Sequence, residues 1–121
     1  MNEPLALALT ACACLVGHGL ADGLQGRLSG LKRRVRQGHA KFFWQWAPFL
    51  AIHGGWHAVA VGLALGSPLA MACEWLAHCC IDLCKCEGRI GSVADQALHV
   101  ACKGVWIAIW GAPQWAKLLS A

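Results

Sequence analysis

Charge is scarce in this sequence. Only 13% of its 121 residues are Asp, Glu, Lys or Arg, against about a quarter in an ordinary soluble domain. No paired CxxC spacing occurs among the eight cysteines, which argues against a zinc ribbon. Disorder is excluded from the other side: 58% of the residues are hydrophobic, and so apolar a chain collapses rather than stays solvated. The length gives room for one domain, not for a large multidomain enzyme. The formal net charge is only +4 and most basic residues crowd into one segment, so no nucleic-acid partner is expected. A compact apolar domain or a small membrane protein remains.

What is abundant is apolar sequence in long stretches. Four segments, about 4–22, 46–65, 67–86 and 92–110, approach the roughly 20 residues that a helix needs to cross a bilayer. The fold expected is therefore all-α: a single integral-membrane domain over 1–121, a polytopic bundle of four transmembrane helices. Pro4 suits a first helical turn, and Ser67-Pro68 reads as a cap followed by a first-turn proline. A soluble bundle would need polar outward faces. Leu5 to Val16 offers only Thr10 and two cysteines, and Ala58 to Leu65 offers no polar side chain. Leu9-Thr10-Ala11-Cys12 has the form of a lipoprotein cleavage site, but a signal peptide wants a positive start and this one has only Glu3, so cleavage is not expected.

Lys and Arg placement orients the segments. Arg27, Lys32, Arg33, Arg34, Arg36 and Lys41 lie between the first and second, and Lys85 and Arg89 between the third and fourth. The turn at Gly66-Ser67-Pro68 is uncharged, and the C-terminal tail has only Lys117. The positive-inside rule puts both basic loops in the cytoplasm and both termini on the periplasmic side of a bacterial inner membrane. Trp44 and Trp46, and at the other surface Trp110 and Trp115, fall where interfacial belts sit. In the basic loop, about 23–43, Leu24, Leu28, Leu31 and Val35 recur at helical spacing, so an amphipathic surface helix touching anionic lipid is expected.

The chemistry lies in a repeated spacing of four. His18 and Asp22, His53 and His57, His78 and Asp82, and Asp95 and His99 form one pair in each segment, and residues four apart share a helix face. Each pair lies within about one to three turns of the cytoplasmic end of its helix, so all four pairs can converge on one site. Only His39, of six histidines, stands outside the pattern. Ionisable groups inside a membrane usually face the bundle interior, paired or functional. Imidazole with carboxylate suits a divalent transition metal, zinc first. Eight donors exceed one tetrahedral shell, so either two ions bind or some residues orient the ligands, a task for Asp22 or Asp95. A metal there lowers the pKa of bound water and supplies a hydroxide nucleophile.

Two other readings of the pairs stay open: a metal-free polar network that fixes helix packing, and a proton or ion pathway. Gly54-Gly55 reads as room for close helix approach. Glu74 extends the His78/Asp82 stripe as a deeper network residue, and Lys103 offsets its charge. Most cysteines lie inside the apolar segments and read as small packing residues; Cys84 and Cys86 have the further options of metal binding and acylation.

These motifs resemble those of the small bacterial and phage integral-membrane proteins known as domain of unknown function 3307. The matching stretches are His18-Gly-Leu-Ala-Asp22-Gly-Leu-Gln25, His53-Gly-Gly-Trp-His57, His78-Cys-Cys-Ile-Asp82-Leu-Cys-Lys85 and Asp95-Gln96-Ala-Leu-His99, in order, across roughly Val16 to Val105. In the first, one residue rather than two separates Asp22 from Leu24-Gln25. The resemblance implies a polytopic membrane fold and adds Gln25, Lys85 and Gln96 as site candidates, without an activity. A looser similarity to membrane-bound metal-dependent hydrolases points to a lipid-linked or membrane-accessible substrate. The competing expectation is a non-enzymatic membrane effector, phage-encoded in one version, that binds membrane lipids and a membrane protein partner or a second copy of itself.

Overall fold

The computed structural model describes residues 3–34, 36 and 43–111, with backbone alone for 24–32, 34, 43 and 44. Four helices follow one another: α1 (Glu3–Arg34), α2 (Phe43–Leu65), α3 (Pro68–Cys86) and α4 (Ser92–Trp110). No strand occurs among the described residues. α1 packs on α2, α2 on α3, α3 on α4, and α4 returns to α1, so the four close a bundle.

The ends of the helices have local causes. At the start of α3 the Ser67 hydroxyl accepts from the Ala70 amide at 3.1 Å, with Pro68 in the first turn, as the cap reading predicts. Gly66 makes the turn before it with φ 62°, a conformation that a side chain disfavours. Gly111 closes α4, its amide reaching Ile107 O at 2.8 Å. α2 begins three residues earlier than the expected Trp46, at Phe43. α1 differs most: it does not stop near Asp22 but runs 32 residues to Arg34. At 1.5 Å per residue that is about 48 Å, well beyond a bilayer's hydrocarbon core. The basic segment to Arg34 is thus a continuation of α1, not a separate surface helix. Val35, His39, Lys41, Trp115 and Lys117, and the side chains of Leu24, Gln25, Arg27, Leu28, Leu31, Lys32, Arg34 and Trp44, lie outside the described residues.

Helix approach is closest where side chains are smallest. A Cβ on Gly54 would stand 2.7 Å from Cys79 Sγ, so α2 and α3 meet there only because that Cβ is missing. Gly55 faces open space; the expected close approach belongs to one glycine of the two.

Most buried residues recur every fourth position: Ala6, Thr10, Cys14 and His18 on α1, His53, His57, Val61 and Leu65 on α2, Ala70, Glu74, His78, Asp82 and Cys86 on α3, and Asp95, His99 and Lys103 on α4, with Ala21, Leu50, Ala58 and Ala64 buried beside these stripes. Three layers result along the bundle. At one end Cys14, Val61, Ala64, Leu65 and Ala70 pack with Trp106, Ile107 and Trp110. The middle holds Glu74 and Lys103. The other end gathers the His and Asp side chains.

The polarity is inverted relative to a water-soluble bundle. Glu74 is 1% exposed and Lys103 2%, while Leu63 is 73%, Leu69 63% and Val93 86% exposed. Over Glu3–Gly23 and Gln45–Leu65 the chain is long and apolar enough to cross a membrane. α3 and α4 have lower hydropathy because they carry Glu74, His78, Asp82, Asp95, His99 and Lys103, which are buried.

Candidate metal centre

Each helix contributes one pair to the polar end of the bundle, and the structure brings all eight residues together. His57 and His78 stack with ring centroids 3.8 Å apart, His78 and His99 at 4.0 Å, and His53 lies 4.7 Å from His57. His18 joins from α1 at 4.6 Å from the His57 ring. Of the eight side chains only that of Asp22 is substantially exposed, at 37%.

The carboxylate oxygens stand between imidazoles. Asp22 Oδ1 is 3.3 Å from His57 Nε2 and 3.7 Å from His53 Nε2. Asp82 Oδ2 is 3.5 Å from both His53 Nε2 and His78 Nε2, and Asp82 Oδ1 is 3.6 Å from His99 Nε2. Asp95 Oδ1 is 3.6 Å from the same His99 nitrogen. Hydrogen bonds to oxygen are usually about 2.7–3.2 Å long. Ligand atoms held about 2.0–2.2 Å from a tetrahedral metal ion stand about 3.3–3.6 Å from one another. All but the 3.7 Å separation of His53 from Asp22 fall in the second range.

Satisfaction of the buried donors points the same way. His57 Nε2, both ring nitrogens of His78, His99 Nδ1 and Asp95 Oδ1 are buried without a hydrogen-bond partner. An unpaired buried polar group costs about 1–3 kcal/mol, a cost that a bound ligand would offset for those atoms, such as His57 Nε2 and His78 Nε2, that face the carboxylates. Four sets of three can hold a metal ion: His18/His57/His78, Asp22/His53/His57, His53/His78/Asp82 and Asp82/Asp95/His99, each with its ligand atoms within 4.8 Å of one another.

Surrounding residues aim these groups. His18 Nδ1 and His57 Nδ1 share a 2.9 Å hydrogen bond, which occupies one nitrogen of His57 and leaves Nε2 directed at Asp22. His18 Nε2 is 3.4 Å from Gln96 Oε1 and 3.6 Å from Asp22 Oδ2. Asp95 Oδ2 is held by the Lys85 ammonium and, at 3.1 Å, by Gln96 Nε2, so its other oxygen faces the cluster. Lys85 and Gln96 thus sit at the centre and position Asp95; the side chain of Gln25 lies outside the described residues.

Glu74 reaches the cluster from the layer below, with Oε1 3.5 Å from His78 Nδ1. The Lys103 ammonium donates to Oε1 at 2.8 Å, which is the charge offset read from the sequence, and the Trp106 indole donates to Oε2 at 2.7 Å. Trp106 was absent from the sequence reading. Its only signal there is its place three residues past Lys103 on the stripe. Comparison with protein-family models, with curated proteins and with solved structures finds no match for the chain.

Proposed function

We propose that this chain is a four-span protein of a bacterial inner membrane, of the kind that domain of unknown function 3307 comprises. In this reading both termini lie outside, and the cytoplasmic half of the bundle holds a divalent metal centre, zinc by preference. The observation that carries it is the convergence of buried imidazole and carboxylate ligand atoms, within 4.8 Å of one another in four sets of three, several of them without a hydrogen-bond partner. The apolar exteriors of α3 and α4, with Leu69, Leu76, Val93, Val105 and Ile109 exposed, support their crossing the bilayer although their sequences carry charge.

The reaction we assign is hydrolysis of a lipid-linked or membrane-accessible substrate. A divalent ion held there would supply water activation and polarisation of the scissile bond. The protein's own part is to hold and orient. His53, His57, His78, Asp82 and His99 supply ligand atoms, Lys85 and Gln96 fix Asp95, and Glu74 fixes the ring of His78. Asp22, the exposed member, marks the side from which a substrate enters. Arg36 and Arg89, paired with Glu87 at 2.7 and 2.9 Å, lie in the basic loops of that end and favour anionic headgroups.

A metal-free polar network is favoured by one observation: the Glu74, Lys103 and Trp106 contacts are complete by themselves. Elemental analysis of detergent-purified protein separates the readings. Wild type should carry one or two equivalents of zinc, manganese or iron. The His57→Ala/His78→Ala variant should insert normally and carry at least one equivalent less than wild type. A wild type without stoichiometric metal, even after incubation with added ions, leaves the packing network.

A further inference from the structure

The two oxygens of Asp82 face different partners. Oδ2 has His53 and His78, each with Nε2 at 3.5 Å, and beyond His53 stand Asp22 and His57. Oδ1 has His99 at 3.6 Å, and Asp95 Oδ1 completes that side. Each side contains its own trio with ligand atoms within 4.8 Å, and Asp82 belongs to both: His53/His78/Asp82 on one, Asp82/Asp95/His99 on the other.

We infer that the centre holds two metal ions bridged by the carboxylate of Asp82, one ion on each of its oxygens. The inference rests on the metal-binding reading above and adds its nuclearity. A four-coordinate ion uses at most four donors. One ion on the His53 side therefore leaves the α4 side unfilled, with Asp95 Oδ1 buried without a hydrogen-bond partner although Lys85 and Gln96 hold its other oxygen in place. An ion on the α4 side alone leaves His57 Nε2 and His78 Nε2 in the same state. Two ions satisfy both sides. A carboxylate with one ion on each oxygen spans the roughly 3.5–4 Å separation of two-metal hydrolytic sites. α3 sits between α2 and α4 in the bundle, which is where a bridging ligand has to be.

Manganese reports both number and coupling. Purified wild type, stripped and reloaded with Mn²⁺, should bind two equivalents and give the electron paramagnetic resonance spectrum of an exchange-coupled pair. Asp95→Asn should lower the stoichiometry from two to one and leave the six-line signal of an isolated ion. Asp82→Asn should abolish the coupling. Circular dichroism and elution volume show whether each variant is folded; the wild-type spectrum needs neither variant. One equivalent with an uncoupled spectrum in wild type overturns the bridged pair and leaves the metal reading standing. No bound manganese, with no zinc or iron in the purified protein, overturns both.

Discussion

Lys103 and Glu74 form an ion pair in which neither partner reaches solvent. Glu74 Oε1 takes the ammonium, Oε2 takes the Trp106 indole, and Lys103 also approaches His99 O at 3.5 Å. Such a pair adds little net stability, yet removing one partner leaves a bare charge and costs about 3–5 kcal/mol. Lys103→Met should therefore destabilise the bundle by about that amount in denaturant titrations in detergent, and Glu74→Gln introduced alongside should recover most of the loss. Full stability of the single variant would mean that the Glu74 carboxylate finds another cation. The ion pair was legible in the sequence because Glu74 and Lys103 extend stripes of four-residue spacing. The aim of each oxygen was not, because it depends on the axial register between α3 and α4, and no local pattern encodes that.

At the scale of the element, the approach of α2 to α3 depends on missing side chains at two glycines, Gly54 and Gly62, the second of which faces Met71. Gly54→Ala would put a methyl group 2.7 Å from Cys79 Sγ, and overpacking of this kind costs about 1–3 kcal/mol. Gly55→Ala meets nothing within 4 Å and should be neutral or stabilising, because alanine favours a helix over glycine by about 1 kcal/mol. Melting temperatures of the two variants in one detergent check the contrast; equal shifts would put the approach elsewhere. The starts and stops of the helices divide in a similar way. α3 was readable to the residue because Ser67 and Pro68 act locally. The end of α1 was not: no local signal sets it near Arg34, and the isolated glycines Gly23, Gly26 and Gly30, with Leu, Gln and Arg between them, lower helix stability without ending the helix.

For the whole molecule, the proposed metal centre would couple folding to ion concentration and to pH. A ligand that binds only the folded state at 100 times its Kd adds about 2.7 kcal/mol, so zinc should raise the melting temperature and a chelator should lower it. Protons compete with the ion for the imidazole nitrogens. The zinc-dependent increment should therefore shrink as the solution is acidified, and at every pH it should be smaller in the His57→Ala/His78→Ala variant than in wild type. A chelator without effect on wild type would count against the centre.

The polar interior bears finally on biogenesis. Under the proposed topology, α3 on its own offers the insertion machinery Glu74, Asp82 and Lys85, and α4 offers Asp95 and Lys103. Each charge at a helix centre costs about 2.5–3.5 kcal/mol on insertion scales. Side by side the two helices cancel much of that cost, since Glu74 meets Lys103 and Asp95 meets Lys85. The unit that partitions from the translocon into lipid is then the helical hairpin and not the single helix, and the last two spans wait for each other before they leave.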